Sequence, residues 1–224
     1  MSHYILLSHI ISSNIPSYGN RDSVEIKSKS SIENGETANT STWIFSNNHI
    51  GTHIDVPKHF SDDGVKTFDI PISDYFFNIV ELIEIPCTGA RLIDIEDFNK
   101  FENLNFDIEL LLIRTGFEGF RNKEKYWNDN PGLSPELAGY LREKYKNLRC
   151  VGFDFISLTS WKYRKEGRLS HSEFLTPQKN LKPILIIEDM KLNNINTKVN
   201  SVVVSPLFVE DGNGGAVTVF ANVN

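Results

Sequence analysis

The sequence has few cysteines, no long apolar run and no excess of positive charge, and each absence narrows the possible functions. Its two cysteines, Cys87 and Cys150, have no metal-type spacing, so we expect buried thiols and no disulfide framework. No stretch approaches the roughly 18 uninterrupted apolar residues of a membrane span. The 23 basic and 29 acidic residues give a net charge of −6, which disfavours nucleic acid as a partner.

The remaining composition is that of an ordinary globular protein. Hydrophobic residues make up 40% and charged residues 23% of the 224 residues, which argues against disorder. The first eight residues contain no basic segment, and Ser8 and His9 break their apolar run, so they indicate mature protein and not a signal peptide. We therefore expect a soluble, cytoplasmic protein, whose length allows one large domain or two small ones.

Short strands outnumber helices in the predicted secondary structure. Ser134 and Pro135, followed by apolar residues at helical spacing, predict a helix over 135–147. A second helix is expected over 94–101, and the capping-box spacing of 170–173 predicts a short helix that begins near 171. The irregular alternation favours a mixed-sheet α/β domain over a doubly wound fold. Strands are predicted over 5–11, 43–45, 79–85, 110–114, 151–155, 184–187, 201–205 and 217–222.

Two polar segments are expected at the surface. Residues 28–42 are the least hydrophobic part of the chain and predict a long excursion or an exposed hairpin. Residues 211–215, with three glycines, predict a turn between the last two strands.

Three of the six histidines lie within eleven residues, and their spacing indicates a metal site. His49, His53 and Asp55 are ligand types that borderline divalent metals prefer. A strand would hold His49 and His53 about 13 Å apart, whereas a helical turn would bring them to about 5–6 Å. Gly51 and Pro57 disfavour a regular helix, so we predict an irregular turn hinged at Gly51. Hydrogen-bonded surface histidines without a metal are the alternative, which the density of the motif makes less favoured.

Further ligands have to come from distant parts of the chain. His171 is the only histidine after His59, and Glu188 ends the apolar run 183–187. Taken alone, each has a simpler interpretation, His171 as a residue of the first turn of a helix and Glu188 as a solvent-facing strand end.

The run from His49 to Phe60, HIGTHIDVPKHF, resembles the HxGTHxDxPxHF motif of the cyclase superfamily, which includes bacterial kynurenine formamidases and isatin hydrolases. No fixed position of the motif deviates. The similarity continues through most of the chain, in 6–9 with 15–16, 111–116, 131–134 leading to 151–157, and 205–207 leading to 216–219.

The resemblance implies a single α/β domain over 1–224, with a mixed β-barrel-like sheet and flanking helices, assembled as a homodimer or homotetramer. It also implies one or two divalent metals per chain, most often zinc and in some members manganese. By motif position His59 matches the acid/base histidine of the family, and Asp55 is able to bridge two metals. The implied metal ligands are His49, His53, Asp55, His171 and Glu188.

The implied activity is hydrolysis of an amide or lactam, with N-formylkynurenine as the leading substrate. The metal lowers the pKa of its water to near neutrality and supplies hydroxide, and His59 protonates the departing nitrogen. One alternative is a cyclase or dehydratase that uses the metal as a Lewis acid. Another is a non-catalytic metal or ligand sensor, for which the additional imidazole of His59 has no use.

Two departures from the family pattern concern the substrate. The interval from His171 to Glu188 is longer than expected for the formamidases, and 161–168 resembles an expanded loop. This basic segment is either a solvated loop or a lid in which Arg164 binds a substrate carboxylate. Tyr18 is the candidate for contact with an aromatic substrate ring.

Overall fold

The computed structural model describes residues 3–101, 103–176 and 181–224, in which short strands are joined by loops and a few helices. The α-helices are α1 (Ile95–Phe98), α2 (Lys125–Asn128), α3 (Pro135–Lys144) and α4 (Arg164–Leu175). The strands are β1 (His3–Leu6), β2 (Val24–Ser30), β3 (Thr40–Phe45), β4 (His53–Asp55), β5 (Phe76–Phe77), β6 (Val80–Glu84), β7 (Leu92–Ile93), β8 (Leu110–Arg114), β9 (Gly132–Leu133), β10 (Cys150–Phe153), β11 (Leu185–Glu188), β12 (Val199–Pro206) and β13 (Gly214–Val223).

Nine of these strands form one mixed sheet that curls back on itself. The strand order is β5-β12-β13-β4-β11-β10-β8-β6, with β1 paired to β13. Strands β6, β8, β10 and β11 are parallel, and the other pairings are antiparallel. Only Asn78 and Ile79 separate β5 from β6, the two ends of the order, so the sheet is nearly closed. The predicted mixed α/β fold with a barrel-like sheet is confirmed.

Strand β8 shows why the parallel strands are almost continuously apolar. Its side chains alternate between the two faces of the sheet, and both faces are covered. Leu111 and Ile113 lie in the core between the sheet and the helices, whereas Leu110 and Leu112 lie in the core inside the curled sheet. All four are fully buried, and each such burial contributes about 1.5–3 kcal/mol.

Helix α4 corrects two predictions for the segment before Glu188. The helix begins at Arg164 rather than near 171, so 164–168 is helical and not part of a loop. Ser170 is not a helix cap. It is fully buried, and its hydroxyl donates to the main-chain oxygen of Ser134, which begins α3. Packing between the two helices therefore overrides the local capping-box signal.

Other element boundaries shift by a few residues. Helix α3 ends at Lys144 instead of 147, and the 94–101 helix is reduced to the four residues of α1, which begin after a capping box at Asp94. The first strand covers His3–Leu6 instead of 5–11. Strand β2 was not predicted because five of its seven residues are charged or polar, and β4, β5, β7 and β9 were not predicted because each has only two or three residues.

The hairpin prediction is confirmed, whereas the turn predicted over 211–215 lies earlier, because Gly214 and Gly215 already belong to β13. Residues 28–42 belong to an antiparallel hairpin made of β2 and β3, and residues 207–213 connect β12 to β13. Both cysteines are buried and free, as expected. Within the three described ranges, no helix has the length and apolar character needed to cross a membrane.

Candidate metal centre

An irregular turn brings His49 and His53 together. Residues 46–52 leave β3 without regular structure, and their hinge is Gly51, whose φ of +73° favours glycine. A Cβ atom at Gly51 would lie 2.6 Å from Cδ1 of Ile15, so close packing also requires the glycine. The ring centroids of His49 and His53 are 5.1 Å apart, the distance expected for a turn. The turn ends one residue later, however, because 53–55 forms strand β4 instead of continuing the predicted irregular segment.

Strand β4 places the candidate ligands His53 and Asp55 close to a third candidate, Glu188. Because side chains alternate along a strand, His53 and Asp55 share one face while the fully buried Ile54 points into the core. Antiparallel pairing with β11 places His53 directly opposite Glu188. As a result, Nε2 of His53 lies 3.4 Å from Oε2 of Glu188 and 3.5 Å from Oδ1 of Asp55.

Helix α4 places His171 next to the carboxylates of Asp55 and Glu188. Nε2 of His171 lies 3.4 Å from Oδ2 of Asp55 and 3.4 Å from Oε1 of Glu188. The helix approaches this closely because Gly167 has no side chain, and a Cβ there would lie 2.5 Å from Oγ1 of Thr159. His171 therefore lies deep in the centre, in the second half of a helix and not in its first turn.

The ring orientations fit metal ligation. Nδ1 of His53 donates to the carbonyl oxygen of Gly51 at 2.7 Å, and Nδ1 of His171 donates to that of Gly167 at 3.0 Å. These bonds leave both Nε2 lone pairs directed at the carboxylates, the orientation typical of metal-bound histidines. Glu188 is buried rather than solvent-facing, and its Oε1 accepts from the main-chain N–H of Leu158 at 2.7 Å.

The two buried carboxylates of the site also favour the binding of a cation. Asp55 and Glu188 are 1% and 3% exposed, and no lysine or arginine nitrogen lies within 4.0 Å of either carboxylate in the described ranges. Burying two carboxylates without a cation is costly. Two donor groups have ligand atoms within 4.8 Å of one another, His53 with Asp55 and Glu188, and His49 with Asp55 and His59. Asp55 belongs to both groups, so these residues fit one or two metal ions.

The pKa values show how the site responds to protons. Burial alone would lower the pKa of His53, but the hydrogen bond to Glu188 and the charge of Asp55 raise it to about 9. The same balance of burial against Asp55 and Glu188 raises the pKa of His171 to about 10. Burial would raise the pKa of Asp55, yet His49 and His171 hold it well below its usual range. A metal that binds here therefore displaces protons from the histidines.

His59 lies beside the centre in a neutral state. Its ring stacks on His49 with centroids 4.0 Å apart, and it ends the short turn Pro57–His59. Burial lowers the pKa of His59 to about 4, so its imidazole is uncharged at neutral pH. Its position suits either proton transfer or ligation of a metal held by His49.

A cavity of about 430 Å³ opens above these residues and includes both predicted substrate contacts, Tyr18 and Arg164. Sequence reasoning missed three other charged residues that line it, Arg21, Asp22 and Arg168. Arg168 lies one helical turn after Arg164, so a correctly predicted helix would have indicated it. Arg21 and Asp22 carry no such signal, because only tertiary folding brings them to the cavity.

Comparisons with known proteins agree with this architecture. Residues 5–159 match the family described as putative cyclase. The chain is 31% identical over 175 residues to the kynurenine formamidase of Bacillus mycoides, covering 75% of this chain and 73% of that protein. It is 33% identical over 110 residues to an uncharacterized protein of Haemophilus influenzae, covering 48% of this chain and 78% of that one. Isatin hydrolase A from Labrenzia aggregata has the same fold, with a TM-score of 0.78 at 19% identity over 99% of this chain and 94% of that chain. The resemblance seen in the sequence is confirmed.

Proposed function

Because the chain belongs to the putative cyclase family, we propose that it is a metal-dependent hydrolase that breaks the carbon–nitrogen bond of an amide or lactam. The observation that carries the proposal is Asp55, a buried carboxylate shared by two histidine-containing donor groups at the base of a cavity. The relatives named kynurenine formamidase and isatin hydrolase support this bond type. N-formylkynurenine, an N-formylated aromatic amine, is the leading candidate substrate.

The metal is a divalent ion held by His53, Asp55, His171 and Glu188, with His49 completing a second position. Zinc is the first candidate and manganese the second, because imidazole and carboxylate ligands suit both. Such an ion supplies a Lewis acid and lowers the pKa of water to near neutrality.

Residues of the chain orient the ligands, transfer the proton and contact the substrate. Gly51 and Gly167 fix the tautomers of His53 and His171 through their carbonyl oxygens. The neutral imidazole of His59 accepts a proton from the attacking water and returns it to the departing nitrogen. A carbon–oxygen bond forms, the carbon–nitrogen bond breaks, and the products are a carboxylic acid and an amine. Tyr18 and Arg164 line the side of the cavity that receives the rest of the substrate.

The setting of this enzyme is part of the proposal. Residues 1–224 form one domain, which assembles as a homodimer or homotetramer in the cytoplasm. Burial raises the pKa of the free Cys87 thiol to about 11, which suits a reducing compartment. Analytical ultracentrifugation measures the oligomer size.

Metal analysis paired with a substrate panel tests the proposal. We expect one to two equivalents of zinc or manganese in protein purified without chelator. We also expect that hydrolysis of N-formylkynurenine stops on chelation and returns with added metal. The panel contains N-formylkynurenine, formanilide and isatin. Metal-loaded protein that binds these compounds without turnover would be a sensor, and ring closure or elimination without hydrolysis would make it a cyclase or dehydratase.

A further inference from the structure

Three arginines at the mouth of the cavity have no carboxylate partner in the part of the chain that the structure describes. Arg21, Arg164 and Arg168 line the cavity and are exposed. The other five arginines are engaged elsewhere. Arg142 donates to three main-chain oxygens, and the remaining four form ion pairs, namely Arg91, Arg114, Arg121 and Arg149. In a protein with a net charge of −6, the three unpaired guanidinium groups therefore converge on one pocket.

The ring of Trp161 holds two of these arginines in place. The guanidinium carbons of Arg21 and Arg164 lie 5.1 Å and 5.0 Å from its centroid. Trp161 is itself fixed, because its main-chain N–H donates to Oδ1 of Asn130 at 3.0 Å and its ring lies against Gly19, where no Cβ fits. A guanidinium that contacts an aromatic ring keeps N–H groups free for a planar oxyanion. The two arginines are thus positioned without being neutralised.

Tyr18 adds an unused donor to the same pocket. Its hydroxyl is buried and has no hydrogen-bond partner among the described residues, although its ring packs edge-on against Trp161 at 5.0 Å. A buried hydroxyl without a partner is unfavourable until a ligand supplies one. Asp22 is the acidic residue closest in sequence to these groups, and its Oδ2 accepts from Asn47 at 3.3 Å rather than from Arg21. The acids Asp55 and Glu188 lie at the base with the candidate metal.

We propose that the substrate carries a carboxylate at the end away from the bond that breaks, and that Arg21, Arg164, Arg168 and Tyr18 bind it. Guanidinium groups pair with carboxylates through two parallel hydrogen bonds, and a phenol adds a third. A cavity of about 430 Å³ accommodates one aromatic ring with a short acidic side chain. The inference rests on the proposed function for the reaction, and it restricts that function to amides that carry a carboxylate. Amides and lactams without a carboxylate are poor substrates.

The test compares N-formylkynurenine with its carboxamide, in which an uncharged amide replaces the carboxylate and the α-ammonium group is kept. We expect the metal-loaded protein to prefer the acid by at least about 10-fold in kcat/KM, the effect of one charge-assisted hydrogen bond. Arg21→Ala and Arg168→Ala each reduce this preference by about 10-fold, and Tyr18→Phe by a smaller factor. Lys165→Ala is the matched control, because it removes one positive charge from an exposed position of α4 that does not line the cavity. Equal kcat/KM values for acid and amide would overturn the proposal.

A binding measurement separates this inference from the reaction itself. Titration calorimetry with the product acid, kynurenine, and with its carboxamide needs no turnover. Preferential binding of the acid that Arg21→Ala abolishes supports the carboxylate site even if neither formyl compound is hydrolysed, in which case only the proposed function fails. Preference that survives all three arginine substitutions would mean that the carboxylate binds the metal and would overturn the inference.

Discussion

The hydroxyl of Thr52 donates to the main-chain oxygen of Asp189, and this hydrogen bond joins the two segments that carry most of the candidate ligands. Thr52 precedes His53, and Asp189 follows Glu188. Asp189 has a φ of +51°, an unfavourable conformation for a residue other than glycine. Its carboxylate is held by Arg121, whose Nε and Nη2 lie 2.9 Å and 2.7 Å away, and by the hydroxyl of Tyr126. The strained residue therefore fixes the direction in which Glu188 enters the site.

Replacing Asp189 by Ala removes this anchor without touching a candidate ligand. We expect metal affinity to fall by about 10- to 100-fold, the usual effect of losing a group that orients ligands. The free energy of unfolding falls by about 3 kcal/mol, because Arg121 is left largely buried without its partner. Metal titration and urea denaturation measure the two effects. Glu84→Ala is the control, since it breaks the exposed pair with Arg114, which is worth less than about 1 kcal/mol. Unchanged metal affinity in Asp189→Ala would contradict the anchoring role.

Asp55 is the residue whose substitution should abolish binding of every metal ion at the centre. It belongs to both donor groups, so Asp55→Ala abolishes metal retention and activity together. Elemental analysis of the purified variant measures the metal, and circular dichroism checks the fold. Asp22→Ala is the matched control, because Asp22 lines the same cavity but belongs to neither donor group. Full metal stoichiometry in Asp55→Ala would show that the ligand assignment is wrong.

Metal binding should become tighter as the pH rises. Without metal, the pKa values of His53 and His171 are raised to about 9 and about 10, so both carry protons at pH 7. A metal displaces those protons, and each contributes up to a tenfold gain in affinity per pH unit. The gain is therefore steepest below about pH 9, where both histidines are protonated, and levels off above about pH 10.

The metal-free protein should show the opposite trend in stability. Because both pKa values are raised above the unfolded value near 6.5, their contribution is complete below that pH and is lost as the pH rises through about 9 and about 10. Chelator competition measures the affinity and thermal unfolding the stability, each between pH 6 and 10. A metal affinity independent of pH would show that the histidines are already neutral.

The parts of the site that could be predicted are those that the sequence holds close together. The run from His49 to Asp55 is local, so its turn at Gly51 follows from backbone preferences alone. His171 could be predicted because it is the only histidine after His59, and Glu188 because it ends an apolar strand. The convergence of Arg21 with Arg164 depends on the packing of Trp161, which no local pattern encodes.

The segment before Glu188 shows why local signals fail. The Ser-x-x-Glu spacing at 170 is typical of a helix start, yet Ser170 lies inside α4 and bonds to Ser134 of the neighbouring helix end. Charged residues at 164–168 indicate a loop when read alone. They are helical because α4 buries a continuous stripe, with Gly167, Phe174 and Leu175, against the rest of the protein.

Gly167 offers a test of that packing in which a normally stabilising change becomes harmful. Gly to Ala in a helix usually stabilises by about 1 kcal/mol. At Gly167 the added methyl group meets Thr159, so the helix must move and carry His171 away from the carboxylates. We expect lower stability and weaker metal binding. Gly139→Ala in α3 is the control, because nothing lies within 4 Å of its Cβ position, and it should stabilise the protein. Thermal unfolding that ranks Gly167→Ala above wild type would contradict this packing.

His59 allows the sharpest separation of chemistry from metal binding. Its imidazole stacks on His49 and is neutral at pH 7, which suits transfer of a proton between water and the departing nitrogen. His59→Ala should keep the fold and the metal content while kcat falls by about 10² to 10⁴, the usual contribution of a positioned acid/base. Added imidazole should restore part of the rate, since a mobile base replaces the missing one. Metal content and kcat are measured on the same preparation. Loss of one metal equivalent would make His59 a ligand of the position beside His49, and unchanged turnover would exclude it from the reaction.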